Sequence, residues 1–238
     1  MSGRLALVAG HSVIGRGFGP LTDGARATTV PGPSGPVAVL ETERIVLLQR
    51  HGEPYRAPHR IDHHAHADAL VALGCDRILA VGSVGGLRAD LVPGTVVIPD
   101  DFIALHGGAD SRHDDWAGHR IHGFTPRWRE RVRDAWTAHA PAPPIDGGTY
   151  WQTSGPRFET PAEIRVLAAF ADVVGMTVAG EAVAAGESGL DYAAVCIVDN
   201  LANGIGAATL TLDEFEAGKR ANHTMLLDVL TAALPELA

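Results

Sequence analysis

Cysteine is scarce in this chain of 238 residues, where only Cys75 and Cys196 occur, both in apolar surroundings. Two cysteines placed in this way match neither a disulfide scaffold nor the Cys/His spacing of a zinc site. We therefore predict two buried free thiols, which are typical of a protein from a reducing compartment.

Long apolar runs and an excess of basic residues are also missing. No apolar stretch approaches the ~20 residues that span a bilayer, and residues 5–9 are too short for the core of a signal peptide. The formal net charge is −9, from 19 Lys and Arg against 28 Asp and Glu. Such a chain has no diffuse basic field for nucleic acid or anionic lipid. We expect a cytoplasmic protein without nucleic-acid or membrane partners.

Short apolar runs alternate with helical patterns along the chain. The patterns predict strands at residues 5–9, 45–48, 77–81, 95–98, 149–153, 172–175 and 192–198, and helices at residues 63–73, 127–139 and 178–187. Two capping boxes, Thr160 with Glu163 and Thr211 with Glu214, predict further helix starts. Residues 29–37 are too few to separate domains, and residues 106–123 suggest a loop or lid. We predict a single α/β domain over residues 1–238, with a mixed, largely parallel twisted sheet flanked by helices.

Glycine, hydroxyl and basic residues follow several predicted strands, where open α/β sheets bind their ligands. Glycine lets backbone N–H groups converge on an anion, and an arginine fork matches phosphate oxygens. The residues concerned are Gly10 to Ser12, Arg50, His51, Gly82 to Gly86, Met176, Thr177, Asp199 and Asn200. Each glycine alone is typical of a turn, and Arg50 alone of a surface ion pair. Together, in a chain without a P-loop or dinucleotide motif, they indicate a phosphate site built from several loops.

Three segments resemble the trimeric purine nucleoside phosphorylases and methylthioadenosine phosphorylases. They are residues 49–52 with 58–61, residues 78–87 with 93–100, and residues 155–163 with 172–177 and Glu181. The resemblance extends from Gly10 to about His223 and implies the fold of that family and a homotrimer. It also implies that inorganic phosphate, as co-substrate, attacks C1′ of a purine nucleoside and releases the base and a pentose 1-phosphate. Such a reaction needs a held nucleophile and donors aimed at the leaving base, and it requires no metal or organic cofactor.

The resemblance assigns roles to individual residues. The phosphate ligands would be Ser12, Arg50, His51, Thr177 and the backbone N–H of Ser83. Met176 would pack against the ribose, and Phe158, which alone is equally typical of a core aromatic, would cover the purine. The residues assigned to catalysis are His51, Glu159 and Asn200.

Glu159 and Asn200 also bear on the choice of base. Members of the family that act on 6-oxopurines have Glu and Asn at these positions, whereas those for 6-aminopurines have Ser and Asp. An ionised Glu159 accepts from N1–H of hypoxanthine or guanine and repels the bare N1 of adenine, and Asn200 donates to the leaving purine. Considered alone, Glu159 is more simply a carboxylate at a helix start. His223 resembles the histidine directed at the ribose 5′-hydroxyl, which favours unmodified ribonucleosides, although an exposed helix histidine is the plainer interpretation.

Several positions depart from the family pattern and leave alternatives open. His11, Gly82, Gly180 and Asp199 differ, residues 201–209 match poorly, and the Asp199 carboxylate is expected beside the base pocket. One alternative is a 5′-methylthioadenosine or 5′-methylthioinosine phosphorylase, and another is a non-catalytic nucleoside-binding protein. The cluster at residues 63–66 does not have a metal-ligand spacing, because adjacent helical positions point about 100° apart, and we expect a partly exposed helix start there.

Overall fold

The computed structural model describes residues 3–10, 19–105, 109–206 and 211–238. Its strands are β1 (Arg4–Ala9), β2 (Arg26–Val30), β3 (Val37–Glu41), β4 (Ile45–Gln49), β5 (Cys75–Gly86), β6 (Val96–Ile98), β7 (Asp101–Ile103), β8 (Ile145–Asp146), β9 (Thr149–Gln152), β10 (Val173–Gly175) and β11 (Asp191–Leu201). Its helices are α1 (His63–Ala72), α2 (Pro126–His139), α3 (Pro161–Leu167), α4 (Val178–Glu187) and α5 (Leu212–Leu237). Ser12 and His11 lie outside the described residues.

The described strands form one mixed sheet. Its order is β2-β3-β4-β1-β5-β10-β9-β7, with β11 paired to β5 and β6, and β8 paired to β6. Six of the ten pairings are parallel and four are antiparallel. This confirms the predicted α/β architecture with a mixed, largely parallel sheet flanked by helices.

Two apolar cores cover the two faces of the sheet. Alternate residues of β1, β5 and β11 face α1 and α4 on one side, and the intervening residues face α2 and α5 on the other. Because both faces of these strands are covered, they appear in the sequence as continuous apolar runs rather than alternating ones. Cys75 and Cys196 are both buried free thiols, as predicted. Among the described helices, none is long and apolar enough to cross a membrane.

The central strands are longer than predicted. β5 continues through the glycines to Gly86, and β11 continues through Asp199 and Asn200 to Leu201. These two strands pair in parallel over almost their full lengths, so each provides the hydrogen-bonding edge that extends the other. Residues expected in loops therefore belong to the sheet itself.

A gap in the sheet lies beside the end of β5. Strand β1 stops where Ala9 pairs with Val81, and β10 joins the same edge of β5 only where Val174 pairs with Gly85. Residues 82–84 therefore have strand β11 on one side and an opening on the other. Openings of this kind, at the carboxyl ends of parallel strands, are where open α/β sheets bind ligands.

Candidate active site

The gap beside β5 opens into a cavity of about 440 Å³. This volume falls in the range of small-molecule sites. Eight of the predicted site residues line it: Arg50, His51, Ser83, Phe158, Glu159, Met176, Thr177 and Asn200. These residues come from β5 and β11 and from the segments that follow β4, precede α3 and follow β10. The tertiary fold therefore brings together groups that are far apart in the chain.

Arg50 lines the cavity and is almost completely buried, with 3% of its surface exposed. Its Nε and one terminal nitrogen donate to the carboxylate of Glu181, the second of these bonds at 3.0 Å. Its other terminal nitrogen donates to the Val81 carbonyl oxygen at 3.0 Å. Among the described residues this leaves one N–H on each terminal nitrogen for a ligand. A planar fork held in this way suits a tetrahedral oxyanion.

The imidazole of His51 has a defined orientation next to Arg50. Its Nδ1 lies 2.9 Å from the Arg56 carbonyl oxygen, and its ring stacks on Tyr55 at 5.0 Å between centroids. Because a carbonyl oxygen only accepts, Nδ1 carries a proton. In the neutral ring, Nε2 is then an acceptor, which suits a protonated phosphate oxygen such as that of monohydrogen phosphate.

Two side chains that the sequence did not single out satisfy the first backbone N–H groups of α4. The Tyr150 hydroxyl accepts from Thr177 and Val178 at 3.2 and 3.3 Å, and Gln152 Oε1 accepts from Ala179 and Gly180 at 2.8 and 3.1 Å. Thr177 can therefore offer an oxyanion its hydroxyl rather than its N–H. In the sequence, this pair is visible only as two polar residues at alternate positions of the short strand β9, both on its buried face.

Two departures from the family pattern have local packing reasons. A Cβ at Gly82 would lie 3.1 Å from Val178 Cγ2 and 3.4 Å from Cys196 Sγ, so neighbouring side chains already occupy that space. Gly180 donates its N–H to Gln152, a bond that proline could not make. Both positions are compatible with an intact cavity.

Asp199 does not line the cavity, which corrects the expectation that its carboxylate lies beside the base. It is buried and accepts hydrogen bonds from the Ser83 hydroxyl and from Asn222 Nδ2 of α5, the latter at 2.7 Å. Burial raises the pKa of this carboxyl, while its two donors oppose that shift. The reason for its inward position is a bulge in β11 between Val198 and Asn200, which turns Asp199 toward α5 and Asn200 toward the cavity.

Gly218 marks the closest approach of α5 to this bulge, since a Cβ there would clash with the Asp199 carbonyl oxygen. We expect Gly218→Ala to destabilise the protein by about 1–3 kcal/mol, measured by urea unfolding. Helix propensity alone would make alanine the more stable residue by about 1 kcal/mol, so a rise in stability would contradict this packing.

Glu159 and Phe158 also line the cavity, on the segment that leads into α3. Glu159 Oε1 accepts from the Thr153 hydroxyl at 2.6 Å, while Oε2 has no partner among the described residues. The ring of Phe158 meets Phe215 edge to face at 5.3 Å. This half-buried carboxylate lies beside an aromatic ring and has one oxygen bound and the other available. It can therefore accept a hydrogen bond from an N–H group of a flat heterocycle.

Asn200 lines the same cavity. Its Nδ2 donates one hydrogen to the Leu201 carbonyl oxygen at 2.8 Å, which orients the amide and leaves a second hydrogen on the same nitrogen. Such an amide can donate to a developing negative charge on a leaving group.

The part of α5 that lines the cavity is not the part that was predicted from His223. The residues of this helix that line the cavity are Leu212, Phe215, Glu216 and Lys219. His223 lies one further turn along α5 and, within the described part of the chain, is not among the lining residues. Because α5 starts at Leu212, directly after the Thr211 capping box, it is the first two turns that face the cavity.

These features define a class of protein: an α/β protein in which a buried arginine fork, a half-buried carboxylate and an amide line one cavity at a gap in the sheet. Comparison with known families agrees. Residues 3–235 match the model of the phosphorylase superfamily, and the chain belongs to that family.

Relatives of this chain carry two kinds of name. A protein of Archaeoglobus fulgidus named "probable 6-oxopurine nucleoside phosphorylase" is 37% identical over 81% of this chain and 79% of its own length. A protein of Methanothermobacter thermautotrophicus named "probable S-methyl-5′-thioinosine phosphorylase" is 35% identical over 83% of this chain and 70% of its own. The methylthioadenosine phosphorylase of Schistosoma mansoni, solved with adenine, superposes with a TM-score of 0.83 over 99% of this chain and 92% of its own, at 23% identity. That last similarity concerns the fold.

Proposed function

We propose that this protein catalyses the phosphorolysis of 6-oxopurine nucleosides such as inosine and guanosine to the free base and ribose 1-phosphate. The observation that carries the proposal is the joint presence of Arg50, Glu159 and Asn200 on one cavity. The names of the relatives support it, since inosine and S-methyl-5′-thioinosine share the 6-oxopurine hypoxanthine as base.

The mechanism follows from where the charges lie. Phosphate would be held by the free N–H groups of Arg50, by His51, by the Thr177 hydroxyl and, as the resemblance implies, by Ser12 and the backbone N–H of Ser83. It would attack C1′ as the bond to N9 of the purine breaks, so that positive charge develops on the ribose while the electron pair leaves with the base. Glu159 would accept from N1–H, and Asn200 would donate to the purine as it becomes an anion. Binding the charges of the transition state more strongly than those of the substrates is what accelerates the reaction.

A second candidate, phosphorolysis of 5′-methylthioinosine, is favoured by the α5 wall. The resemblance places this helix near the 5′ position of the sugar, and here the residues that it presents are Leu212, Phe215, Glu216 and Lys219 rather than His223. Lys219 pairs with Glu216, which leaves Leu212 and Phe215 as the apolar part of this wall. An apolar wall accommodates a thioether better than it does a hydroxyl group without a hydrogen-bond partner. Both candidates share the base chemistry and differ only in the sugar.

The test is to assay inosine, guanosine, adenosine, 5′-methylthioadenosine and 5′-methylthioinosine with and without phosphate. We expect phosphate-dependent release of hypoxanthine or guanine, and the ratio of inosine to 5′-methylthioinosine turnover separates the two candidates. Rapid cleavage of the two adenosine compounds with none of the 6-oxopurine compounds would reject the proposal, and so would nucleoside binding without turnover.

Glu159→Gln should relax the choice of base, because an amide can present either an acceptor to N1–H or a donor to a bare N1. We expect the preference for inosine over adenosine, as the ratio of kcat/KM values, to fall by about 10- to 100-fold. The matched control is Glu163→Gln, which changes a nearby carboxylate that is bound to Arg157 and lies outside the cavity lining. An unchanged preference in Glu159→Gln would remove Glu159 from base recognition.

The resemblance also supports a homotrimer, and the pattern of two buried thiols supports a cytoplasmic location. We propose both properties together with the activity. Light scattering of the purified protein tests the first, and a mass near three chains is expected.

A further inference from the structure

A chain of three buried polar side chains extends from the cavity into the protein. It runs from Arg50 to Glu181 and from Glu181 to Tyr192, whose exposed fractions are 3%, 6% and 0%. The Tyr192 hydroxyl donates to Glu181 Oε2 at 2.9 Å, and Arg50 donates to the same oxygen at 3.0 Å and also to Oε1. Only Arg50 of these three residues lines the cavity.

The ion pair of Arg50 and Glu181 lies next to three buried side chains that are neutral, those of Tyr192, His63 and His66. Burial and the Glu181 carboxylate raise the pKa of Tyr192 well above its ordinary value, so the phenol remains a donor at neutral pH. His63 and His66 of α1 lie nearby, and burial lowers their pKa values to about 3 and about 4. The helix start at residues 63–66 is partly exposed as expected, since His64 and His66 are half-buried, although His63 itself is buried. The rings of His63 and His66 are therefore neutral, and Arg50 and Glu181 carry the charges that face one another here.

A buried carboxylate is held in place by all of its donors together. Glu181 receives two hydrogen bonds from Arg50 and one from Tyr192. Without the phenol, Oε2 would have to meet its hydrogen-bonding requirement from the guanidinium alone. The fork would then be drawn toward Glu181 and away from an oxyanion in the cavity, because both anions compete for the same planar group.

We propose that Tyr192 is a positioning residue for Arg50, acting through Glu181 to hold the guanidinium in the orientation that binds phosphate. This inference rests on the proposed function, since it concerns how the phosphate site is held. It also gives the phenol a role beyond packing, although the Tyr192 ring fills space in the apolar core next to Phe124. If packing were its entire role, loss of the hydroxyl would leave phosphate affinity unchanged.

The first test is Tyr192→Phe, which keeps the ring and removes the hydroxyl. We expect the KM for phosphate, and its dissociation constant measured by calorimetry, to rise about tenfold, with the KM for the nucleoside unchanged. The matched control is Thr125→Val, which removes the hydroxyl that accepts from the Tyr192 backbone N–H at 3.0 Å and leaves the phenol in place. Its phosphate KM should match that of the wild type.

The outcomes are distinct. A wild-type protein that neither binds nor uses phosphate would overturn the proposed function and this inference together. A phosphate-dependent wild type with an unchanged phosphate KM in Tyr192→Phe would overturn the inference alone. Equal increases in the phosphate and nucleoside KM values, or an increase in Thr125→Val as well, would indicate a general structural effect and would also overturn it.

A second variant, Glu181→Gln, keeps the inference testable if Tyr192→Phe does not fold. It retains the shape of the side chain but weakens its hold on Arg50, so we expect the phosphate KM to rise while the nucleoside KM stays unchanged. If Tyr192→Phe does fold, the double variant Tyr192→Phe/Glu181→Gln should have a phosphate KM no higher than that of Glu181→Gln, because the effects of residues that act through one another are not additive. Additive losses, or an unchanged phosphate KM in Glu181→Gln, would contradict the proposed chain.

Discussion

Asn200→Ala is expected to lower kcat for inosine phosphorolysis by about 10²- to 10³-fold, the effect of removing one donor to a developing anion. Asn200 lies on the bulged part of β11, and the bond from its amide to the Leu201 carbonyl oxygen orients it at the cavity. Because the donor acts mainly when the purine carries negative charge, the loss should appear in kcat more than in KM.

The control for this prediction is Asn203→Ala. Asn203 also lines the cavity, but its Nδ2 donates to the Glu159 carbonyl oxygen at 2.9 Å. Its loss should reduce kcat far less, because the proposed mechanism assigns the hydrogen bond to the leaving purine to Asn200 and not to Asn203. Similar reductions in both variants, or a kcat in Asn200→Ala within a fewfold of the wild type, would show that the purine leaves without help from Asn200.

Arg50→Ala is expected to have the largest effect on stability. It removes the cation that neutralises Glu181, whose carboxylate is buried with 6% of its surface exposed. Removing one partner of a buried ion pair costs about 3–5 kcal/mol, because the remaining charge is left without compensation. We expect this loss in the free energy of unfolding from urea titration, together with the loss of phosphate-dependent turnover.

The double variant Arg50→Met/Glu181→Met separates the two effects. Replacing both charges with apolar groups of similar length removes the unpaired charge, so much of the stability should return. Turnover should not return, since the oxyanion would still lack its guanidinium. A fully stable Arg50→Ala protein would mean that Glu181 finds another partner or accepts a proton at little cost.

Several elements were predictable because their causes are local. The capping boxes at Thr160 and Thr211 begin α3 and α5, as both reciprocal hydrogen bonds are present in each. The helix expected at residues 178–187 is α4 with the same bounds. The hairpin of β2 and β3 was missed, because β2 is largely exposed and polar and therefore lacks the apolar run that revealed the central strands.

The site was predictable only in part. Arg50, Glu159 and Asn200 line one cavity, and the sequence could single them out because each occurs at a recognisable strand end or helix start. Their roles stay predictions. Asp199 and His223 were expected at that cavity and lie away from it. A one-residue bulge decides the first case, and the second depends on which turns of a long helix meet the cavity.

The amino-acid sequence by itself determined the alternation of strands and helices, the caps that begin α3 and α5, and the kinds of side chain available for an oxyanion and a 6-oxopurine. The strands and caps follow from composition and short-range spacing, whereas the side chains for an oxyanion and a 6-oxopurine are those that the family resemblance assigns. Only the tertiary structure decided that Tyr192, Glu181 and Arg50 form one buried chain, that Tyr150 and Gln152 satisfy the start of α4, and that Leu212 faces the cavity. Such contacts join residues far apart in the chain, and their geometry depends on strand register and on where each strand stops.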